Sequence, residues 1–175
     1  MHESAALEMK RFSLRLDPAA TLLVGDIGSY DTLLAHQEIF DHCPWQYVGY
    51  DLHLGPSVHR ILESQYDWRL PQHDVLISGQ CLEHVVQPWR WIKEFLSAMK
   101  PGGVCCIIAP HTFEYHEFPV DCFRYWPDGI RGLFDWAGIR EVEIYKTPID
   151  TVAIGQRPGS YCELTFDKKP LRGSA

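Results

Sequence analysis

The chain has 175 residues, 46% of them hydrophobic and 22% charged, with a formal net charge of -7. That length suits one domain burying roughly 70% of its unfolded surface and is short for two. The acidic balance opposes a phosphate backbone, so nucleic acid is not an expected partner.

No apolar run reaches the ~18 residues that a membrane span needs, so no membrane partner is expected. Residues 1–11 carry charges where a signal peptide would be apolar. The six cysteines, at 43, 81, 105, 106, 122 and 162, contain no C-x-x-C pair. They read as free, buried thiols, with adjacent Cys105 and Cys106 on opposite faces of a strand. A soluble, cytoplasmic setting is the expectation.

No repeat, low-complexity tract or linker divides the chain, and a single domain over 14–170 is expected, with 1–13 and 171–175 as flexible termini. No clear amphipathic helix precedes the first strand. Five short apolar runs, 21–27, 45–50, 58–62, 74–78 and 104–109, read as strands buried on both faces, as in a parallel sheet. Between the last two, 89–99 places Trp91, Ile92, Phe95, Leu96 and Met99 on one helical stripe with Pro88 in the first turn, and Trp89 reads as packing. Lys100-Pro101-Gly102-Gly103 ends that helix.

A second helix is predicted over about 127–136, with Ile130, Leu133 and Phe134 inward and Ala137-Gly138 closing it. Residues 141–146 and 161–166 read as two further strands, paired antiparallel across a turn-rich stretch through Gly155 and Pro158-Gly159. The fold class is therefore α/β: a mostly parallel sheet with an antiparallel C-terminal strand and helices on both faces.

In such a sheet ligands bind outside the carboxyl ends of the strands, where strand order reverses. Gly28, after Asp26 at the end of the first strand, would let the backbone approach a ligand closely. Asp51, at the end of the second, can accept two hydrogen bonds from a ribose diol. Both acids also read as ordinary strand-end turn caps. The hydride-transfer fingerprint G-x-G-x-x-G fails, since Tyr30 and Thr32 follow Gly28, and a nicotinamide-dependent enzyme is disfavoured.

Three blocks carry a family resemblance: Asp26-Ile27-Gly28-Ser29; Tyr47-Val48-Gly49-Tyr50-Asp51; and Asp74-Val75-Leu76-Ile77-Ser78 with Leu82-Glu83-His84-Val85, Pro88-Trp89-Arg90-Trp91-Ile92 and Lys100-Pro101-Gly102-Gly103. Over about 22–139 the sequence resembles the class I, Rossmann-like S-adenosylmethionine-dependent methyltransferases. The segment holding His116, Pro119, Asp121, Arg124 and Tyr125 looks like a pattern found in members acting on sugars or small metabolites.

The resemblance implies S-adenosylmethionine as cofactor and a small-molecule or sugar acceptor, with a homo-oligomer left open. It implies that Asp26 and Gly28, with Ser29 and Tyr30, line the methionine side, and that Asp51 takes the ribose hydroxyls. Leu52 would lie beside the adenine, Asp67 and Trp68 would hold it, and Gln80 and Cys81 would lie under the methionine moiety. Tyr30 and Thr32 stand where the family usually has glycines. An inactive binding or scaffolding domain with this fold is therefore the alternative to an O-methyltransferase.

Methyl transfer needs alignment above all, and a hydroxyl acceptor gains from a positioned base. His116, in the loop after the fifth strand, is the first candidate for that base, with Asp121 orienting it and His84 a minor candidate. His111, Arg124 and Tyr125 are candidate acceptor contacts, Arg124 by a bidentate grip and Tyr125 with Trp126 as a stacking face. The competing reading makes His116 an exposed loop residue, with Asp121 and Arg124 an ion pair that ties the loop to the next helix. His84 likewise reads as a hydrogen-bonding turn residue. His111, Glu114, His116 and Glu117 match no helical zinc spacing, so no metal is expected. Cys81 has no paired base to make it a nucleophile.

Overall fold

The computed structural model describes residues 3–30, 36–42 and 44–159. Among these residues seven strands form one sheet in the order β3-β2-β1-β4-β5-β7-β6. They are β1 (Leu23–Ile27), β2 (Gln46–Asp51), β3 (Arg60–Ile61), β4 (His73–Gly79), β5 (Met99–Pro110), β6 (Arg140–Lys146) and β7 (Asp150–Gln156). The first five pair in parallel, and β7 runs antiparallel to both β5 and β6. Strand order reverses between β1 and β4, which places the switch point where Asp26-Ile27-Gly28 and Gly79-Gln80 leave the sheet.

Alternation along each buried strand builds two cores. Cys105, Ile107 and Ala109 face one with Leu76 and Ile27, while Val104, Cys106 and Ile108 face the other with Val75 and Ile77. The first core is closed by α3 (Pro88–Ser97) and α4 (Pro127–Ala137), through Trp91, Ile92, Phe95, Ile130 and Phe134. Gly138, at φ 89, ends α4 in the left-handed region with its N–H on Phe134 O. The second core is closed by α1 (Glu3–Ser13) and α2 (His36–Phe40), through Ala5, Met9, Phe12 and Phe40.

Several expectations need correction. Over residues 3–13 the start is not loose: α1 buries Ala5, Met9 and Phe12, Ser4 Oγ donates to Asp150 Oδ2 at 2.8 Å and Tyr145 OH to Glu8 Oε2 at 2.7 Å. Its apolar stripe is only Ala5, Met9 and Phe12 among charged neighbours, and packing against the sheet supplies the rest. The stretch expected to turn through Gly155 is β7. Gly155 lies within that strand because a Cβ there would meet Ile139 at 2.5 Å and Phe134 at 2.8 Å. The run 58–62 reduces to the exposed two-residue edge strand β3. Lys100-Pro101-Gly102-Gly103 opens β5 rather than lying outside the sheet, beside an irregular register at His73/Val75.

Cys105 and Cys106 are buried and free, Cys81 is half-buried and Cys122 is exposed. The run 161–166, residues 171–175, Asp31, Thr32, Cys43 and Cys162 lie outside the described residues. Among the described residues no helix is long and apolar enough to cross a membrane.

Candidate functional site

Two adjoining cavities lie over the switch point and share Gly28, Tyr30 and Gln80. The larger, with about 650 Å³ of empty space, is mainly apolar. Leu52, Leu62, Trp68 and Trp91 line one part, Asp51 stands at its β2 edge, and Cys81, His84, Phe118 and Pro119 line another. The smaller, with about 340 Å³, is polar and lined by Asp26, Ser29, His36 and Tyr47.

Local chemistry explains the walls. Gly28 sits at φ 81 with its N–H on Tyr50 O, and a Cβ there would lie 2.5 Å from Cys81 Sγ, so only glycine lets the two strand ends meet. Gln80 takes the left-handed φ of 56, a strain worth about 1 to 2 kcal/mol. Its Nε2 donates to Asp150 Oδ1 at 2.9 Å. Asp51 accepts from the backbone N–H of Tyr30 at 3.2 Å and of His53 at 2.9 Å, one on each carboxylate oxygen, which leaves lone pairs free on both.

The Tyr30 ring forms a wall of both cavities, packed on Phe118 with ring centroids 5.3 Å apart and against Gly55, where a Cβ would meet it at 2.7 Å. It therefore narrows the site without filling it.

Asp26 is buried, and its Oδ2 accepts from Tyr47 OH at 2.7 Å and contacts His36 Nδ1 at 2.8 Å. Among the described residues its Oδ1 has no partner, and neither have Ser29 Oγ, His36 Nε2 or Gln80 Oε1, all buried. Unpaired buried polar atoms cost about 1 to 3 kcal/mol each, and four around one small cavity suit a polar ligand. A ligand spanning both cavities would be polar at one end and apolar at the other.

The acceptor candidates separate. His84 lines the larger cavity, and its Nδ1 sits 2.6 Å from Val120 O. Burial lowers its pKa. The His116 ring stands behind it, edge to face with centroids 4.9 Å apart. His116 Nδ1 lies 3.0 Å from Glu114 O and 3.4 Å from Asp121 Oδ2.

Arg124 spends all five N–H groups inside the loop: two on Asp121 at 2.5 and 2.7 Å, and the others on the carbonyls of Phe113, Glu114 and Phe123. It holds the enclosed Asp121 carboxyl far below the usual carboxylate range. The pair is a loop clamp, and no donor of Arg124 remains for an acceptor.

Tyr125 is a core residue, with its OH on Leu82 O at 3.3 Å, and is not a stacking face. His111 is also buried, between Thr112 Oγ1 and Thr147 O. Asp67 is exposed and paired with Arg69 at 3.1 Å, away from the cavity walls, while Gln65 lines the cavity. Cys81 lines the cavity with its thiol pushed well up by burial, so it is no thiolate nucleophile.

The sequence reading gave no role to Glu83. It is fully buried, neither carboxyl oxygen has a hydrogen-bond partner among the described residues, and burial raises its pKa to about 8. His36 and Tyr47 were likewise missed as wall residues, because nothing in a single sequence shows that a short helix and the middle of β2 meet Asp26.

No protein-family model matches the sequence, and no curated protein matches it. Solved structures do match its fold. An O-methyltransferase family protein from Burkholderia thailandensis superposes with a TM-score of 0.62 at 17% identity over 88% of this chain, which spans only 56% of that protein. The 1,6-didemethyltoxoflavin-N1-methyltransferase of the same organism, solved with S-adenosylhomocysteine, gives 0.70 at 14% identity over 89% of this chain and 80% of its own. A putative methyltransferase from Bacillus halodurans gives 0.67 at 9% identity over 89% and 99%. The chain has the class I fold of the S-adenosylmethionine-dependent methyltransferases.

Proposed function

We propose that the protein binds S-adenosylmethionine and methylates a hydroxyl of a small molecule or sugar. The observation that carries this reading is the pair of joined cavities at the switch point, one apolar with Asp51 at its edge and one ringed by unpaired buried polar atoms. The residues suit the cofactor in its parts. Asp51 has lone pairs for the ribose hydroxyls, Leu52, Leu62 and Trp68 offer an apolar face to the adenine, and Asp26 Oδ1 and Gln80 Oε1 are acceptors for the ammonium group.

When bound, the cofactor supplies a methyl group on a sulfonium for in-line displacement. The chain's own part is alignment and exclusion of water, worth ~7 to 11 kcal/mol when the acceptor is held at near-attack distance. The acceptor enters at the edge formed by His84, Phe118 and Pro119. A hydroxyl is favoured as acceptor because imidazoles stand there, His84 in the wall and His116 behind it.

The competing reading, a domain of this fold that does not bind the cofactor, draws on Tyr30, whose ring lines both cavities. A calorimetric titration with S-adenosylhomocysteine decides between them. Micromolar binding is expected and would rule out the inactive domain; no heat at millimolar ligand would sink the methyltransferase.

A further inference from the structure

Glu83, His84 and His116 each offer one ligand atom, and these atoms lie within 4.8 Å of one another. Two come from the 3-10 turn after β4 (Leu82–His84) and one from the loop after β5. Glu83 is 0% exposed, and among the described residues neither of its oxygens has a hydrogen-bond partner. Burying a carboxyl group with neither a cation nor a hydrogen-bond partner is costly whether or not it is ionised. The nearby cation, Arg124, has no N–H left, since Asp121 and three carbonyls take all five. The backbone N–H groups of Cys122 and Phe123 bind Glu83 O and close the loop over the turn.

The imidazoles are prepared in the same sense. His84 Nδ1 lies 2.6 Å from Val120 O and His116 Nδ1 lies 3.0 Å from Glu114 O, so each Nδ1 carries the proton and each Nε2 keeps its lone pair. His84 Nε2 is 3.8 Å from Glu83 Oε1. A carbonyl or carboxylate behind each ligating histidine is the arrangement that orients metal ligands, and Asp121 Oδ2 stands 3.4 Å from His116 Nδ1.

We propose that Glu83, His84 and His116 form a divalent metal site of the zinc class, at the acceptor edge of the larger cavity. Two imidazole nitrogens and one carboxylate suit zinc and its neighbours better than magnesium, and three protein ligands leave a position open. Closing to metal–ligand distances of ~2 Å falls mainly to His116, whose side chain is 36% exposed on its loop. An oxygen of the acceptor fills the open position, and its hydroxyl gives up its proton to water on coordination. That last role rests on the methyltransferase reading; ion binding does not.

The test is zinc binding by the full chain, measured by equilibrium dialysis with elemental analysis and by calorimetry, with magnesium as the control. One equivalent of zinc is expected for the wild type, with affinity about tenfold or more weaker in Glu83→Gln and in His116→Ala. S-adenosylhomocysteine is titrated into the same samples. Zinc binding without binding of this ligand would support the metal site while sinking the methyltransferase reading. The proposal is overturned if the wild type takes up no zinc at micromolar concentration, or if both variants keep wild-type affinity. Should Glu83→Gln fail to fold by circular dichroism, His116→Ala alone decides.

Discussion

The two sides of the site treat their polar groups in opposite ways. Around β1 and β2, Asp26, Ser29, His36 and Gln80 each keep a buried atom without a partner, and Asp51 keeps lone pairs. In the loop after β5, Asp121 and Arg124 satisfy one another and three carbonyls. Residue type alone would rank Arg124 as the better ligand contact. The pairing reverses that order, because a fully bonded side chain stabilises the fold and an unbonded buried one waits for a partner.

Substitutions can break this contrast. The largest effect is expected from Arg124→Ala, which leaves the Asp121 carboxylate, only 1% exposed, without its cation and with the His116 backbone N–H as its remaining close donor. Because Arg124 is itself 24% exposed, the loss is placed at the lower end for a broken buried pair, about 3 kcal/mol. For a chain of this size that lowers the melting temperature by roughly 6 to 12 °C. An unchanged melting curve would show that the clamp is not structural.

Asp51→Ala tests the other side. It should weaken S-adenosylhomocysteine by about 2 kcal/mol, near thirtyfold, with little change in melting temperature. Lost stability with unchanged affinity would assign Asp51 to the fold and leave the ribose without its acceptor.

The smallest effect is a pH slope in the core. His73 is buried, with Nδ1 3.1 Å from Ala98 O and Nε2 3.0 Å from Tyr50 OH, a set that suits the neutral ring. Burial lowers its pKa below the ordinary 6.5. The unfolded chain therefore binds the proton first, so this stability is present above about pH 6.5 and declines as pH falls towards the folded value. Urea midpoints at pH 7.5 and 5.5 should differ less in His73→Gln than in the wild type. Equal differences would remove His73 from the acid response.

The strand ends were legible because they depend on local signals. Apolar runs place β1, β2, β4 and β5, and the topology rule then points to Asp26, Gly28 and Asp51 at their ends. Helices α3 and α4 were legible from their apolar stripes and end signals. The acceptor side was less so. Arg124 and Tyr125 are residue types that often touch ligands, and their sequence positions carry no sign of the clamp or of the Leu82 carbonyl that engage them. Asp67 was misplaced for the same reason, since nothing at its position shows that it pairs with Arg69 at the surface.

By itself the sequence determined the α/β alternation, the switch-point glycine and the acid at the end of β2, since each is written in a few consecutive residues with their own periodicity or backbone demand. Only the tertiary structure decided that residues 3–13 fold onto the sheet, that β7 occupies 150–156, and that Glu83, His84 and His116 meet. Those features rest on partners many residues away, and which buried polar group finds a partner is settled by packing.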